Sequence, residues 1–499
     1  MAKRRKNKKI FSFTIIMILL ILGVCFLSAI LSILNVDATQ TSIVNNKLET
    51  SVVVVKNIFS KEGLINLFTE IIPNFNMFEP LVLILISLMA MGIGTASGLF
   101  KHLANPLKKL RFNVITLLVV FISVISTLIG DYGYIILIPF VAIMYRYLNK
   151  NPLIGILTVF LGTTLGYGTG LFFNYNDYTL GVLTKSAATI TVDSTYKHMI
   201  FSDFYIMITA TILLSAIISS LINKNLVKKF SNVAYEDELV ISKKGFLYSS
   251  IAFIIILIPI IIMILPNGIL LDQTQPRYIA KLFGSSSGFH QSFVYLFLLI
   301  VSICSFVYGI TSKNLKNINE FSQGFAKELD GFGYLFILLL LVSILTGIIN
   351  WTNIGVVLAN RLLDLIVLLD LSGIPLIIIS FISIILMSLL IPGSLEKWAI
   401  ISPILVPIFM KGNLTPDFAQ FLFKAADSVG KILTPVFVYY VMFVGFIKKY
   451  NVNEYKIELK NITGIIFKLI LGIAIIWLLI LVIWYIAGLP LGFGTLATM

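Results

Sequence analysis

Three ionisable residues, Lys424, Asp427 and Lys431, stand inside one long apolar run of this chain. Their spacing is i, i+3 and i+7, which on a helix puts all three on one face and brings Asp427 within reach of both lysines. A charge at bilayer depth costs on the order of 3 kcal/mol or more, so such groups pair, face water or carry function. One expectation is a neutralised cluster that only holds helices together. The other is that Asp427 carries a coupling proton or binds an ion, while a lysine attracts an anionic substrate.

Two polar breaks interrupt other apolar runs. Gly130-Asp131-Tyr132-Gly133 divides Val114–Tyr147, and Pro392-Gly393-Ser394-Leu395-Glu396-Lys397 divides Ile374–Met410. Asp131 either caps the half-helix that follows it or lines a path. Ser394 offers a hydroxyl. Trp398 offers a flat face for stacking an aromatic ring, or packs at an interface. Glu396 and Lys397 fit a solvated turn. Asp177 is solvated at a helix end or takes part in binding. Asn350 and Asn353 flank Trp351 and either cap helix ends or contact substrate. Pro435 must interrupt the helix that holds Asp427. His102, His198 and His290 are scattered, and no metal-ligand spacing, phosphate-cradling loop or nucleophile elbow occurs. Neither a metal centre nor ATP-driven pumping is expected.

The elements that must hold these residues follow from composition. Of 499 residues, 58% are apolar and 12% charged, against about one-quarter charged in an ordinary soluble protein. Many apolar runs are about 20 residues long, enough to cross roughly 30 Å of hydrocarbon. A soluble enzyme, a disordered chain and a disulfide scaffold are excluded. The two cysteines, Cys25 and Cys304, lie inside apolar runs as buried thiols. The net charge of +14 fits either a nucleic-acid partner or basic loops at a membrane surface. Placement favours the membrane. Lys3, Arg4, Arg5, Lys6, Lys8 and Lys9 precede Ile10–Leu34, a run longer than the roughly 7–15 apolar residues of a signal peptide. It is expected to stay as a first span with a cytoplasmic N-terminus.

If the two interrupted runs are re-entrant hairpins, nine simple spans remain and every loop acquires a side. Of 37 Lys and Arg residues, 24 then fall on 1–9, 101–112, 145–151, 223–244, 311–331 and 447–460, and 9 on 36–79, 174–202, 267–289, 351–372 and 411–416. The first set is expected to be cytoplasmic and the C-terminus outside. Bent backbone at membrane depth survives only inside protein or beside a water-filled cavity, so the tips should mark a cavity. The two hairpin regions also resemble each other: GDYGYIILIPFVAIM (Gly130–Met144) and GSLEKWAIISPILVPIFM (Gly393–Met410) each run from glycine and charge, through an aromatic, to a proline-containing stretch ending in Met. Starting from opposite sides, they form an inverted repeat, a signature of secondary transporters. The fold class expected is an all-α polytopic membrane protein of about nine transmembrane helices plus two re-entrant hairpins in inverted repeats.

With these motifs in view, the chain resembles the AbgT family of p-aminobenzoyl-glutamate transporters, in the ion-transporter superfamily. The likeness covers roughly Leu64 to Ile447. It rests on GIGTASGLF (Gly92–Phe100), GDYGYIILIP (Gly130–Pro139), DYTLGVLTKSAA (Asp177–Ala188), NWTNIGVVLA (Asn350–Ala359), EKWAIISPILVPIFM (Glu396–Met410) and ADSVGKILTP (Ala426–Pro435). It implies a homodimer and ion-coupled movement of p-aminobenzoyl-glutamate or export of related compounds, including sulfonamides. It places the family's functional acids on Asp177 and Asp427, its hairpin tryptophan on Trp398 and its helix-breaking proline on Pro435. Several positions depart from the pattern. Leu395 stands where a serine is usual, with Ser394 beside it. Ser388 replaces an asparagine, Lys424 an arginine, and Lys431 an asparagine. A cation where a sodium ligand would stand points to H+ as coupling ion, with sodium in doubt and no cofactor.

The implied organisation is scaffold helices and an outer loop over 1–112, a first repeat over 113–222, scaffold and dimerisation helices over 223–371, a second repeat over 372–447 and a last span over 448–499. The expected partners are a small-molecule substrate and the lipid bilayer of a bacterial-type cell membrane, not nucleic acid. A carrier of other organic anions, such as dicarboxylates or peptides, is the runner-up. A membrane-embedded enzyme would need a larger outer catalytic loop than the roughly 45 residues of 36–79, and a channel would need a pore ring rather than paired broken helices.

Overall fold

Backbone polar groups find no water inside a bilayer, so an apolar chain of this composition must pair them along itself. The computed structural model describes residues 12–227, 230, 232, 234–451 and 459–499, and it is mostly helical. The basic cluster Lys3–Lys9, together with Lys228, Lys229 and Lys456, lies outside the described residues. In chain order come α1 (Phe13–Ile33), β1 (Asp37–Val44), β2 (Lys47–Val54), α2 (Lys61–Thr69), α3 (Ile71–Asn76), α4 (Glu79–Ser97), α5 (Leu99–Ala104), α6 (Phe112–Ile125), α7 (Tyr132–Tyr147), α8 (Pro152–Gly166), α9 (Tyr175–Thr191) and α10 (Phe204–Asn225). Then follow α11 (Lys243–Ile264), α12 (Tyr278–Phe283), α13 (Gly288–Ser312), α14 (Ile318–Gly324), α15 (Gly333–Thr352), α16 (Ile354–Leu369), α17 (Gly373–Ser388), α18 (Ser394–Lys411), α19 (Pro416–Lys431), α20 (Val438–Tyr450) and α21 (Leu459–Ile486).

Eight helical stretches among the described residues are long and apolar enough to span a bilayer. Seven of them, built on α1, α4, α10, α11, α13, α15 and α21, coincide with spans expected from sequence; the eighth, Phe112–Ile129, is the first arm of the first hairpin. The helix that follows each hairpin is interrupted. α8 ends at Gly166 and α9 begins at Tyr175; α19 ends at Lys431 and α20 begins at Val438. Glycine at 168 and 170 and proline at 435 weaken the helical ladder where it stops. The freed backbone is re-paired by threonines: Thr211 Oγ1 accepts from Gly170 N at 2.8 Å, and Thr434 Oγ1 accepts from Val436 N at 3.2 Å while donating to Leu389 O at 2.7 Å. Residues 174–202, expected from the sequence to be a loop, are mostly α9. The long segment 36–79 holds, besides α2 and α3, an antiparallel ribbon of β1 and β2, and a short second ribbon of β3 (Pro490–Gly492) and β4 (Thr495–Leu496) follows α21, so the fold is helical with two small ribbons.

Contacts between helix ends sort the connections into two sets, as the charge pattern did. In one set Lys101 meets Asp237, Arg146 meets Glu328, Lys449 meets Glu328, and Tyr235 N donates to Asn149 Oδ1. In the other Arg361 holds Asp37, Asp417 holds His198, and Thr415 bonds the C-terminal strand at Leu496. The base of the first hairpin, α6 and α7, lies in the first set; that of the second, α17 and α18, lies in the second. The hairpins therefore point in opposite directions.

Each hairpin straddles the first half of the broken helix that follows it. α6 and α7 pack on α8, and α17 and α18 pack on α19. The second halves then cross over: α9 packs on α18 and α19, and α20 packs on α7 and α8. α8 and α19 are buried along their entire lengths. Close approach requires glycine at matching places. A Cβ on Gly166 would stand 2.5 Å from Thr127 Cγ2, and one on Gly430 would stand 2.4 Å from Ser388 Cβ.

Candidate functional site

The opposed hairpins bring their tips to one cavity of about 500 Å³. Its wall holds Gly130, Asp131 and Tyr132 from the first tip and Pro392 to Glu396 from the second. Tyr167 from the first helix break and Lys431 and Val436–Tyr439 around the second also line it. Phe78, Glu79, Tyr175, Phe283, Ser285 and His290 carry the wall outward to the loop set that contains Asp37 and Asp417. The sequence's expectation of a hollow at the tips corresponds to this cavity. Gly130 turns the first tip at φ 62°, ψ −136°, a conformation suited to glycine. Asp131 sits at the N-cap position of α7, yet its side chain makes no capping bond, and it is exposed on the cavity wall.

Behind the second tip lies a buried ion cluster. Ser394 Oγ donates to Asp427 Oδ2 at 2.5 Å and accepts from Lys431 Nζ at 2.5 Å. Lys431 Nζ also lies 3.4 Å from Asp427 Oδ2 and 3.8 Å from the centre of the Tyr167 ring. Lys397 Nζ pairs with Asp427 Oδ1 and donates to Ser388 Oγ at 2.6 Å. Asp427 is thus one hydroxyl removed from the cavity, gripped by one lysine of α18 and one of its own helix.

The sequence had put Lys424 beside Asp427, and here the structure differs. Lys424 Nζ turns away to Asp177 Oδ1 at 2.7 Å and Asp203 Oδ2 at 2.8 Å. Residues three apart on a helix lie about 60° apart around its axis, and the neighbours of α19 divide that face: hairpin 2 takes one edge, and α9 with Asp203 at the start of α10 takes the other. Asp177 is not a solvated helix end. It is buried, forms a capping box with Asn174 at the start of α9, and ties the first broken helix to the second through Lys424.

Trp398 is fully buried against Phe423 at 4.6 Å between ring centres, and its Nε1 donates to Thr184 Oγ1 at 3.0 Å. It does not line the cavity. Lys397 is likewise fully buried and not part of a solvated turn, whereas Glu396 is exposed on the cavity wall. Asn353 links α15 to α16 at φ 59° and its Nδ2 donates to Val54 O at 3.3 Å; Asn350 is exposed in the last turn of α15. Neither reaches the cavity. Pro435 precedes its wall residue Val436. The residues that the sequence reading does not bring forward are Asp203 and Glu79, and Lys397 is the one it places in a solvated turn. Lys397 carried a usable signal, a lysine one residue from a buried tryptophan within an apolar run. Asp203 and Glu79 border polar loops and carried none.

The AbgT transporter family model matches residues 5–499. The chain belongs to the AbgT family. Among curated relatives, this AbgT-family chain is 26% identical over 494 residues to the p-aminobenzoyl-glutamate transport protein of Escherichia coli (strain K12), covering 96% of this chain and 93% of that one. Two solved structures match along nearly the whole chain. The Alcanivorax borkumensis YdaH transporter has a TM-score of 0.49 at 23% identity, covering 96% of this chain and 99% of that one. Neisseria gonorrhoeae MtrF, placed in a class of antimetabolite efflux pumps, has a TM-score of 0.49 at 24% identity, covering 98% of each chain. The AbgT chain is accordingly a membrane transporter.

Proposed function

We propose that this protein is a proton-coupled secondary transporter of p-aminobenzoyl-glutamate or a related aromatic acid, sulfonamide-type antimetabolites included. The observation that carries the reading is the single cavity at which both hairpin tips and both helix breaks meet, with Lys431 in its wall and Asp427 one hydroxyl behind. Tyr132, Tyr167, Phe437 and Tyr439 give that wall flat aromatic faces, which favours an aromatic acid over a simple dicarboxylate. Lys431 offers an ammonium to a substrate carboxylate. Glu79, Asp131 and Glu396 line the same cavity. Three carboxylates beside one ammonium repel an incoming dianion, so binding is favoured when protons enter with it. The second ammonium of the Asp427 cluster stands where a small cation would otherwise balance the carboxylate, which supports H+ rather than sodium.

The proposal includes the sequence's orientation, with a cytoplasmic N-terminus and an outer C-terminus, and a homodimer as the working unit. On that orientation the cavity in this structure reaches toward the outer face. Flux of labelled p-aminobenzoyl-glutamate into proteoliposomes tests it, with sodium replaced by choline and a proton gradient imposed. Saturable flux that follows the proton gradient and survives choline is expected. An absolute sodium requirement would sink the proton assignment, and absence of saturable flux would sink the substrate assignment.

A further inference from the structure

The two arms of the first hairpin leave a second cleft between them, lined by residues other than those of the transport cavity. α6 and α7 each pack on α8 more than on each other, and a cleft of about 130 Å³ opens along their seam. Val119, Ile122, Leu137 and Phe140 line its inner part, and Leu107 and Leu148 its end. The hydroxyl of Ser123, also in the wall, is turned away to Val119 O at 2.6 Å. Ile122 is 52% exposed, so the cleft opens sideways on the surface that faces lipid.

Its end is marked by charge. Leu107 is followed by Lys108, Lys109 and Arg111, and Leu148 is followed two residues later by Lys150. Lys150 Nζ lies 5.1 Å from the centre of the Phe112 ring, so the two basic segments adjoin in space as well as in sequence. Lys108, Lys109 and Arg111 are exposed, and none of the four basic residues forms an ion pair among the described residues. Asp237 and Glu328, on the same face, are already taken by Lys101 and by Arg146 with Lys449.

We propose that this cleft and its basic rim bind an anionic phospholipid of the adjoining leaflet. One acyl chain lies between the arms of the hairpin, and the phosphate rests on Lys108, Lys109, Arg111 and Lys150. An apolar slot open to lipid takes an acyl chain of any phospholipid. Four unpaired cations where the slot meets the headgroup layer make the difference between an anionic and a zwitterionic headgroup. Arg111 adds a planar fork suited to phosphate. A chain seated there separates α6 from α7, and α7 carries Asp131 at its far end, so the lipid holds the first tip in place.

The test uses the full-length protein in detergent, titrated with dioleoyl phosphatidylglycerol or dioleoyl phosphatidylcholine and read by native mass spectrometry. Phosphatidylglycerol should be retained in preference to phosphatidylcholine. Replacing Lys108, Lys109, Arg111 and Lys150 together by Gln should lower that preference by roughly 10-fold or more. Val119→Trp, which fills the slot, should lower retention of phosphatidylglycerol while the rim is intact. All five positions lie outside the transport cavity, and the readout is binding, so it stands whatever the substrate proves to be. Equal retention of the two lipids by the unaltered protein overturns the proposal, as does a phosphatidylglycerol preference that survives the four-residue variant.

Discussion

At the scale of single residues, the cluster around Asp427 is unbalanced: one carboxylate faces two ammonium groups, all three buried. Asp427→Asn leaves two buried cations without a counter-charge. It should destabilise the protein by about 3–5 kcal/mol and abolish transport, so thermal unfolding and flux fall together. Lys431→Asn removes the surplus charge and leaves the Lys397–Asp427 pair intact. It should unfold at the same temperature as the parent or slightly higher while substrate affinity drops at least about 10-fold, a separation typical of sites that sacrifice stability for function. Trp398 supports the site without facing it. Trp398→Phe loses one buried hydrogen bond to Thr184, worth about 1 kcal/mol. A fall in thermal stability with unchanged substrate KM is the expected result, whereas a selective rise in KM would place Trp398 against the substrate after all.

At the scale of elements, the working unit is a hairpin straddling a fully buried half-helix, and its tightest point is a glycine. Gly430→Ala drives a methyl group into Ser388, the residue that holds Lys397 and Asp427. Overpacking of this kind costs about 1–3 kcal/mol and moves the hairpin. Flux should fall further than stability, and Gly166→Ala should do the same from the other repeat. Opposite the transport cavity, Glu328 ties the end of α7, through Arg146, to the end of α20, through Lys449 and Tyr450. Burial pushes the Glu328 carboxyl up, but Arg146 and Lys449 outweigh it and hold the group below its ordinary 4.5. A carboxylate lowered on folding contributes stability that is present above pH 4.5 and is lost as pH falls through the lowered value. Glu328→Gln should therefore lower stability by about 2–4 kcal/mol near neutral pH. The gap from the parent should close in acid, which thermal unfolding across pH can follow.

At the scale of the whole molecule, two inverted units exchange their second halves, so that α9 braces the second hairpin and α20 the first. This crossing links the two ion clusters through one buried helix. Lys424 and Asp427, three residues apart on α19, serve different neighbours: the first binds α9 and α10, the second binds hairpin 2. A displacement of α19 would disturb both sets of ion pairs at once.

The sequence alone indicated the membrane character, the two polar tips and the break at Pro435, and sorted the loops into two sets while taking α9 for one of them. Each of these is a local matter of apolar run length, helix-breaking residues or charge placement. It also brought Asp131, Ser394, Asp427 and Lys431 forward, because polar groups inside apolar runs are conspicuous. Which lysine meets which carboxylate was beyond its reach. Helical spacing tells which side chains share a face, but the partner on that face comes from another part of the chain, 30 residues away for Lys397 and Asp427 and 221 for Lys424 and Asp203. Only the packing of hairpin against half-helix decided that Trp398 and Lys397 are sealed in the interior while Lys431 looks into the cavity.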